Sequence, residues 1–244
     1  MADNTPLNTQ SSGSPIHSQP NTAEDTTKCF TSGTEVVSVI VGKEEPQVKH
    51  LVHESILRKC PFFGKCLDSG MKESQDKTIR LPEDSPAAID VLIHWLYFEK
   101  VVPKVGRTFD SIEAYNVADK YALPQLQNAL MDKYRASWKC LLLLPSSVSA
   151  IWDRTPEDCR LREAALDQLR WDIISSPAVY KGDKNKRAVQ LKDLLKDKQE
   201  LTEALFMKVA ESASSNLKQK DAPPNPSMMT GCVYHIHEND KKCV

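Results

Sequence analysis

The sequence predicts an α+β fold, in which a small three-stranded sheet is covered by a cluster of short helices and followed by a helical extension. The chain has 244 residues, of which 40% are hydrophobic, and this is enough apolar material for a core. Residues 36–41 are almost entirely β-branched and predict a strand, whereas later apolar residues recur at helical spacing. Short strands embedded among short helices indicate the α+β class.

The predicted strands lie in the first third of the chain. Residues 36–41 end at Gly42 and carry apolar side chains on both faces, which predicts a strand covered on both sides. The turn 43–46 and a weaker strand over 47–52 complete a β-hairpin. Residues 78–81 are the third short strand.

Short helices are predicted after the hairpin. Ile56, Leu57 and Cys60 share one helix face. Pro61 begins the next helix at its first position, where the missing N–H of proline costs no hydrogen bond. Gly70 ends this second helix. Its expected buried side consists of Phe62, Phe63, Cys66 and Leu67.

The clearest helix start in the chain precedes a long apolar stripe. Asp84 or Ser85 is the expected N-cap, and Pro86 lies in the first turn. The stripe has the i, i+3, i+4, i+7 spacing and comprises Ile89, Leu92, Ile93 and Leu96. After residue 138 the chain is predicted to be helical, with one longer helix across the leucine-rich residues 191–209.

Composition divides the chain into four segments. Residues 1–33 are rich in Ser, Thr and Pro and predict a disordered tail, because they bury too little apolar surface to offset their ordering entropy. Residues 34–137 form the predicted α+β domain. The helical extension 138–211 is expected to pack on it, since a helix with one apolar face needs a partner. Residues 212–244 predict a flexible C-terminal tail.

Charge and cysteine usage restrict the partners and the compartment. The 32 Lys and Arg against 33 Asp and Glu leave a net charge of -1, so direct nucleic-acid binding is not expected. The aliphatic run 141–144 is stopped by Pro145, far short of the roughly 20 residues of a membrane-spanning helix. Seven scattered cysteines and an N-terminus without a signal peptide predict free thiols in the cytosol or nucleus.

Six short motifs occur in an order that resembles BTB/POZ domains. They are residues 37–42, 52–57, 60–63, 70–74, 79–84 and 117–121. The resemblance covers about residues 35–137 and is greatest to the fungal single-domain type, which is also similar at residues 151–156 and 161–163. It implies structural roles for His53, Pro61, Phe62 and Phe63, which would pack the first helices against the hairpin.

The resemblance implies a non-enzymatic module that binds other proteins. Some BTB domains are adaptors for cullin-type ubiquitin ligases and carry a hydrophobic-x-Glu element, which here corresponds to Met71 and Glu73. The same stretch also reads as ordinary loop sequence. The alternative is a homodimer, possible through Ile56 and Leu57, in a regulator of transcription or chromatin without a ligase role.

A histidine and cysteine cluster near the C-terminus raises the question of a metal. Cys232, His235, His237 and Cys243 lie within twelve residues and supply the ligand types of a tetrahedral zinc site. Surface residues on a frayed tail are the simpler interpretation, and no cofactor is expected. The sequence contains neither a G-x-G phosphate loop nor a G-x-S-x-G elbow, so no enzyme class is indicated.

Overall fold

The computed structural model describes residues 35–101, 108–216 and 224–237. The described residues form one compact α+β unit that begins at Glu35. The predicted N-terminal tail lies outside the described residues. Within the described ranges, no helix combines the length and the apolar character that crossing a membrane requires.

A three-stranded sheet forms the first part of the unit, as the sequence predicts. The strands are β1 (Val36–Val41), β2 (Val48–His53) and β3 (Thr78–Leu81), in the order β2-β1-β3. β1 and β2 form the predicted antiparallel hairpin, with Val36 opposite His53. β3 runs parallel to β1.

The first strand is covered on one side only, so the prediction of a strand buried on both faces is wrong. Val37, Val39 and Val41 are buried, whereas Val36 is exposed and Ile40 is half-buried. Side chains alternate across a strand, so the second set faces the open side of the sheet. The apolar residues on that side stay partly or largely accessible to solvent.

Four helices belong to the same half of the chain as the sheet. They are α1 (Glu54–Leu57), α2 (Pro61–Asp68), α3 (Lys72–Gln75) and α4 (Pro86–Phe98). Phe63 and Leu67 of α2 are buried as predicted, but Phe62 is 42% exposed. Ser85 occupies the N-cap position of α4 but makes no side-chain capping bond, and the Asp84 carboxylate accepts from Lys120.

Six further helices complete the described ranges. They are α5 (Thr108–Lys120), α6 (Pro124–Cys140), α7 (Pro145–Arg154), α8 (Arg160–Ser175), α9 (Lys186–Asp197) and α10 (Gln199–Asn216). The predicted long helix over 191–209 is therefore two helices. α9 ends at Asp197, and the extended backbone of Lys198 separates it from α10. The Thr202 hydroxyl donates to the Leu195 carbonyl near the end of α9.

The helical extension packs on the first part of the unit. α7 lies against α5, where the Asn116 side chain donates a 2.5 Å hydrogen bond to the Arg154 carbonyl. α6 carries buried residues along its whole length, from Leu126 to Trp138. A continuous core therefore connects the sheet-bearing half with the helical half.

The predicted flexible tail over 212–244 is corrected for residues 224–237. These residues lie against α6 and α8 and include a 3₁₀ turn, Pro226–Met228. Ser227 and Tyr234 are buried. An aromatic side chain and a proline supply the anchors that the polar composition of this segment conceals.

Candidate protein-contact loop and metal cluster

His53 is a satisfied structural group in the described structure. It occupies the N-cap position of α1, but its side chain makes no capping bond. Its backbone N–H donates to the Tyr97 hydroxyl, and Nδ1 lies 2.7 Å from the same oxygen. This arrangement ties the end of β2 to α4, which is a packing role.

Pro61, Phe62 and Phe63, to which the resemblance also assigns structural roles, lie at the start of α2. Pro61 occupies the first turn and is exposed. Phe63 is 1% exposed, and its ring lies 5.1 Å from that of Tyr121. The ring of Phe62 lies 4.9 Å from that of Tyr121 and is partly exposed to solvent. Both phenylalanines therefore pack α2 against the end of α5, with unequal burial.

Met71 projects from a short loop between α2 and α3. Its side chain is 66% exposed. Gly70 has a positive φ of 68°, which turns the chain away from α2. The Ser69 hydroxyl accepts from the Met71 N–H at 3.2 Å, and the Gln75 side chain donates to the Gly70 carbonyl. Local hydrogen bonds thus hold an exposed apolar side chain on a defined backbone.

Glu73 lies in the first turn of α3 and is half-buried. Burial raises the pKa of the Cys66 thiol on α2, and the nearby Glu73 carboxylate raises this pKa further. The structure places Met71 and Glu73 in one loop with different degrees of exposure.

The predicted dimer contact through the first helix is corrected. Ile56 is 8% exposed and Leu57 is fully buried, so neither side chain is available to a second copy. Both pack inward because α1 is a single turn between the sheet and α4.

The C-terminal segment 224–237 is fastened by buried polar contacts. The guanidinium of Arg135 on α6 donates to the carbonyls of Pro226 and Met229. The Tyr234 hydroxyl donates to the Asp167 carboxylate at 3.0 Å, and burial raises the pKa of this tyrosine. The Ser227 N–H donates to the Gln168 side chain at 3.0 Å.

Three of the four predicted metal ligands converge on this segment. One ligand atom from each of Cys232, His235 and His237 lies within 4.8 Å of the other two. Nε2 of His235 lies 3.0 Å from a carboxylate oxygen of Asp132 on α6. Cys243 lies outside the described residues.

Sequence reasoning missed the groups that position this cluster. Asp132 and Asn128 lie one turn apart on α6, more than a hundred residues before the segment that they contact. Their spacing is that of ordinary surface residues on a helix, so no local signal marks them.

No protein-family model matches the chain, and no curated protein matches it. The BTB/POZ resemblance therefore stays a prediction that depends on the six motifs.

Proposed function

We propose that this chain is a non-enzymatic protein–protein interaction module of the BTB/POZ type, which contacts a cullin scaffold through Met71 and Glu73. The exposure of the Met71 side chain on an internally hydrogen-bonded loop is the observation that carries this proposal. The proposed compartment is the cytosol or the nucleus, in agreement with five free cysteines in the described ranges.

The architecture supports a binding module of this type. A small sheet with helices packed around it agrees with what the six motifs imply. The helical extension lies against α5 of the same unit.

Met71 is suited to fill an apolar pocket on a partner. A methionine adapts its flexible side chain to irregular surfaces, and burying one contributes roughly 1.5–3 kcal/mol. The loop backbone is already fixed by Ser69 and Gln75, so little ordering entropy opposes binding. Glu73 contributes an acceptor two residues after Met71, on a half-buried side chain.

A binding measurement between the purified chain and a cullin N-terminal domain tests this proposal. We expect Met71→Ala to weaken binding about tenfold or more, and Glu73→Gln to weaken it less. Met207→Ala is the matched control, because Met207 on α10 is 58% exposed and should leave affinity unchanged. Absence of binding by the wild type, or equal binding by the Met71 and Met207 variants, would refute the adaptor role.

The second candidate function is self-association, as in a regulator of transcription or chromatin. It is favoured by the open side of the sheet, where Leu51 is 67% exposed and Val36 is also exposed. β2 is an edge strand, and Leu51 lies opposite Ser38 on the same outer face as Val36. An apolar edge of this kind can pair with a second copy.

Light scattering of the full chain tests this second function. A homodimer that dissociates in the Leu51→Lys variant, and persists in Met207→Ala, is the expected result. A monomer at all concentrations excludes self-association, and it leaves the cullin measurement unaffected.

A further inference from the structure

We propose that Cys232, His235 and His237 bind a zinc ion that fastens the C-terminal segment to α6. The three ligand atoms already lie within 4.8 Å of one another. Donors on tetrahedral zinc lie roughly 3.5 Å apart, so small side-chain rotations bring the three atoms to bonding positions. The proposal is independent of the contact that Met71 makes.

The backbone of the segment is fixed where the ligands are attached. The Asn128 side chain accepts from the Ile236 N–H at 2.8 Å and donates to the Ile236 carbonyl at 2.9 Å. Ile236 lies between the two histidines, so this double hydrogen bond sets both of their positions. On the other side, the Cys232 carbonyl accepts from the His235 N–H at 3.2 Å, which closes a turn between thiol and imidazole.

Tyr234 anchors the segment against α6 and α8. It is 3% exposed and is bonded to Asp167 of α8, while Arg135 of α6 lies over its ring. A ligand set on a buried and hydrogen-bonded backbone is preorganised. The cysteine and the two histidines therefore do not lie on a frayed tail.

Asp132 supplies the support that metal-binding histidines usually have. Its carboxylate lies 3.0 Å from Nε2 of His235. A carboxylate that holds one ring nitrogen fixes the orientation of the imidazole and makes the other nitrogen a better ligand.

The chemistry of the donors selects the ion. One thiolate and two imidazoles match borderline-soft zinc, whereas calcium and magnesium take oxygen ligands. Zinc binding displaces the thiol proton of Cys232 into solvent, and water completes the coordination. No electron transfer is involved, so the site requires only that the thiol stays reduced.

Cobalt and zinc titrations of the reduced, metal-free full chain test the proposal. We expect one equivalent of cobalt to bind with a thiolate-to-cobalt charge-transfer band, and zinc to displace it. Cys232→Ser should abolish the band. Cys140→Ser should retain it, because Cys140 is an exposed thiol at the end of α6, away from the cluster. We expect Asp132→Asn to weaken zinc binding about tenfold.

Hydrogen exchange provides a second measurement that does not depend on the cobalt spectrum. Zinc should slow amide exchange in residues 231–237 of the wild type and have no such effect in Cys232→Ser. The proposal is refuted if the wild type binds no stoichiometric zinc, or if Cys232→Ser and Cys140→Ser bind it equally. Circular dichroism of both variants establishes that each has folded.

Discussion

The hydroxyl of Tyr121 donates a 2.6 Å hydrogen bond to Oδ2 of Asp84, which joins the end of α5 to the loop that precedes α4. Lys120 donates to the same carboxylate at 2.8 Å. Tyr121 is 1% exposed, and burial followed by the bond to Asp84 raises its pKa, so the phenol stays a donor. Two of the six sequence motifs, residues 79–84 and 117–121, thus meet at one charged hydrogen bond.

Removing this hydroxyl should destabilise the fold without disturbing its packing. We expect Tyr121→Phe to lower the free energy of unfolding by about 1.5–3 kcal/mol, because a hydrogen bond to a charged group is lost in the interior. Urea denaturation followed by circular dichroism measures this change. Tyr180→Phe is the comparison, since its hydroxyl makes a longer, 3.4 Å bond to the Leu143 carbonyl and has Arg187 rather than a carboxylate as its charged hydrogen-bond neighbour. Equal losses in the two variants would contradict the assigned strength of the Asp84 bond.

The neighbouring phenylalanines Phe62 and Phe63 should differ sharply in their contribution to stability. Phe63→Ala removes a buried ring and should cost about 3–5 kcal/mol. Phe62→Ala removes a ring that is 42% exposed and should cost about 1 kcal/mol, mostly from its contact with Tyr121. The same denaturation experiment compares them. Similar costs would show that Phe62 is a core residue, as the sequence predicts.

Acid should weaken the contacts at the start of α1. Lys77 and then Arg58 donate to the Glu54 carboxylate and lower its pKa from 4.5 to about 2. The folded pKa lies below the unfolded one, so this stability is present above about pH 4.5 and is lost as the pH falls toward 2.

The Glu54→Gln variant measures the size of this effect. A shift from 4.5 to 2 corresponds to about 3 kcal/mol, but Lys77 and Arg58 are partly exposed, and solvent screening reduces the expected value to about 1–2 kcal/mol. Unfolding free energies between pH 5 and 2.5 should therefore fall less steeply in the variant than in the wild type. Glu163→Gln, which breaks an exposed pair with Arg160, should keep the wild-type slope.

Local sequence signals predicted the elements of the fold well. The β-branched run and the prolines at positions 61 and 86 act through backbone conformation, which depends on neighbouring residues alone. The exposure of Phe62 and the break at Lys198 depend on distant packing, which periodicity does not contain.

The sequence identifies the candidate metal ligands, but it does not show that the segment carrying them is held in a fixed position. Cys232, His235 and His237 are visible as a local pattern. Whether that pattern is held in place depends on Asn128 and Asp132, which the sequence separates from it by more than a hundred residues. A polar segment of this kind is therefore predicted to be a flexible tail unless the helix against which it packs is known.

Gln168 should control the docking of the C-terminal segment. Its side chain is fully buried, donates to Asp172 at 2.9 Å and accepts from the Ser227 N–H at 3.0 Å. Gln168→Leu keeps a similar volume but removes one acceptor from the Ser227 N–H, which still has Asn225 Oδ1, and one donor from the Asp172 carboxylate, which still accepts from the Leu143 N–H. Each lost bond should cost about 0.5–1.5 kcal/mol. Detachment of the segment exposes the Ser227 amide to water, which offsets part of this cost.

Hydrogen exchange in metal-free protein distinguishes detachment from general destabilisation. In Gln168→Leu, amides of residues 225–236 should exchange faster than in the wild type, while those of β1 keep their protection. Thr155→Val is the control, since Thr155 is also buried but its hydroxyl bonds to the Ile151 carbonyl of α7. It should lower global stability without selective exposure of the segment. If the two variants expose residues 225–236 equally, Gln168 is not the specific link, and the contacts of Arg135 and Tyr234 suffice to hold the segment on α6 and α8.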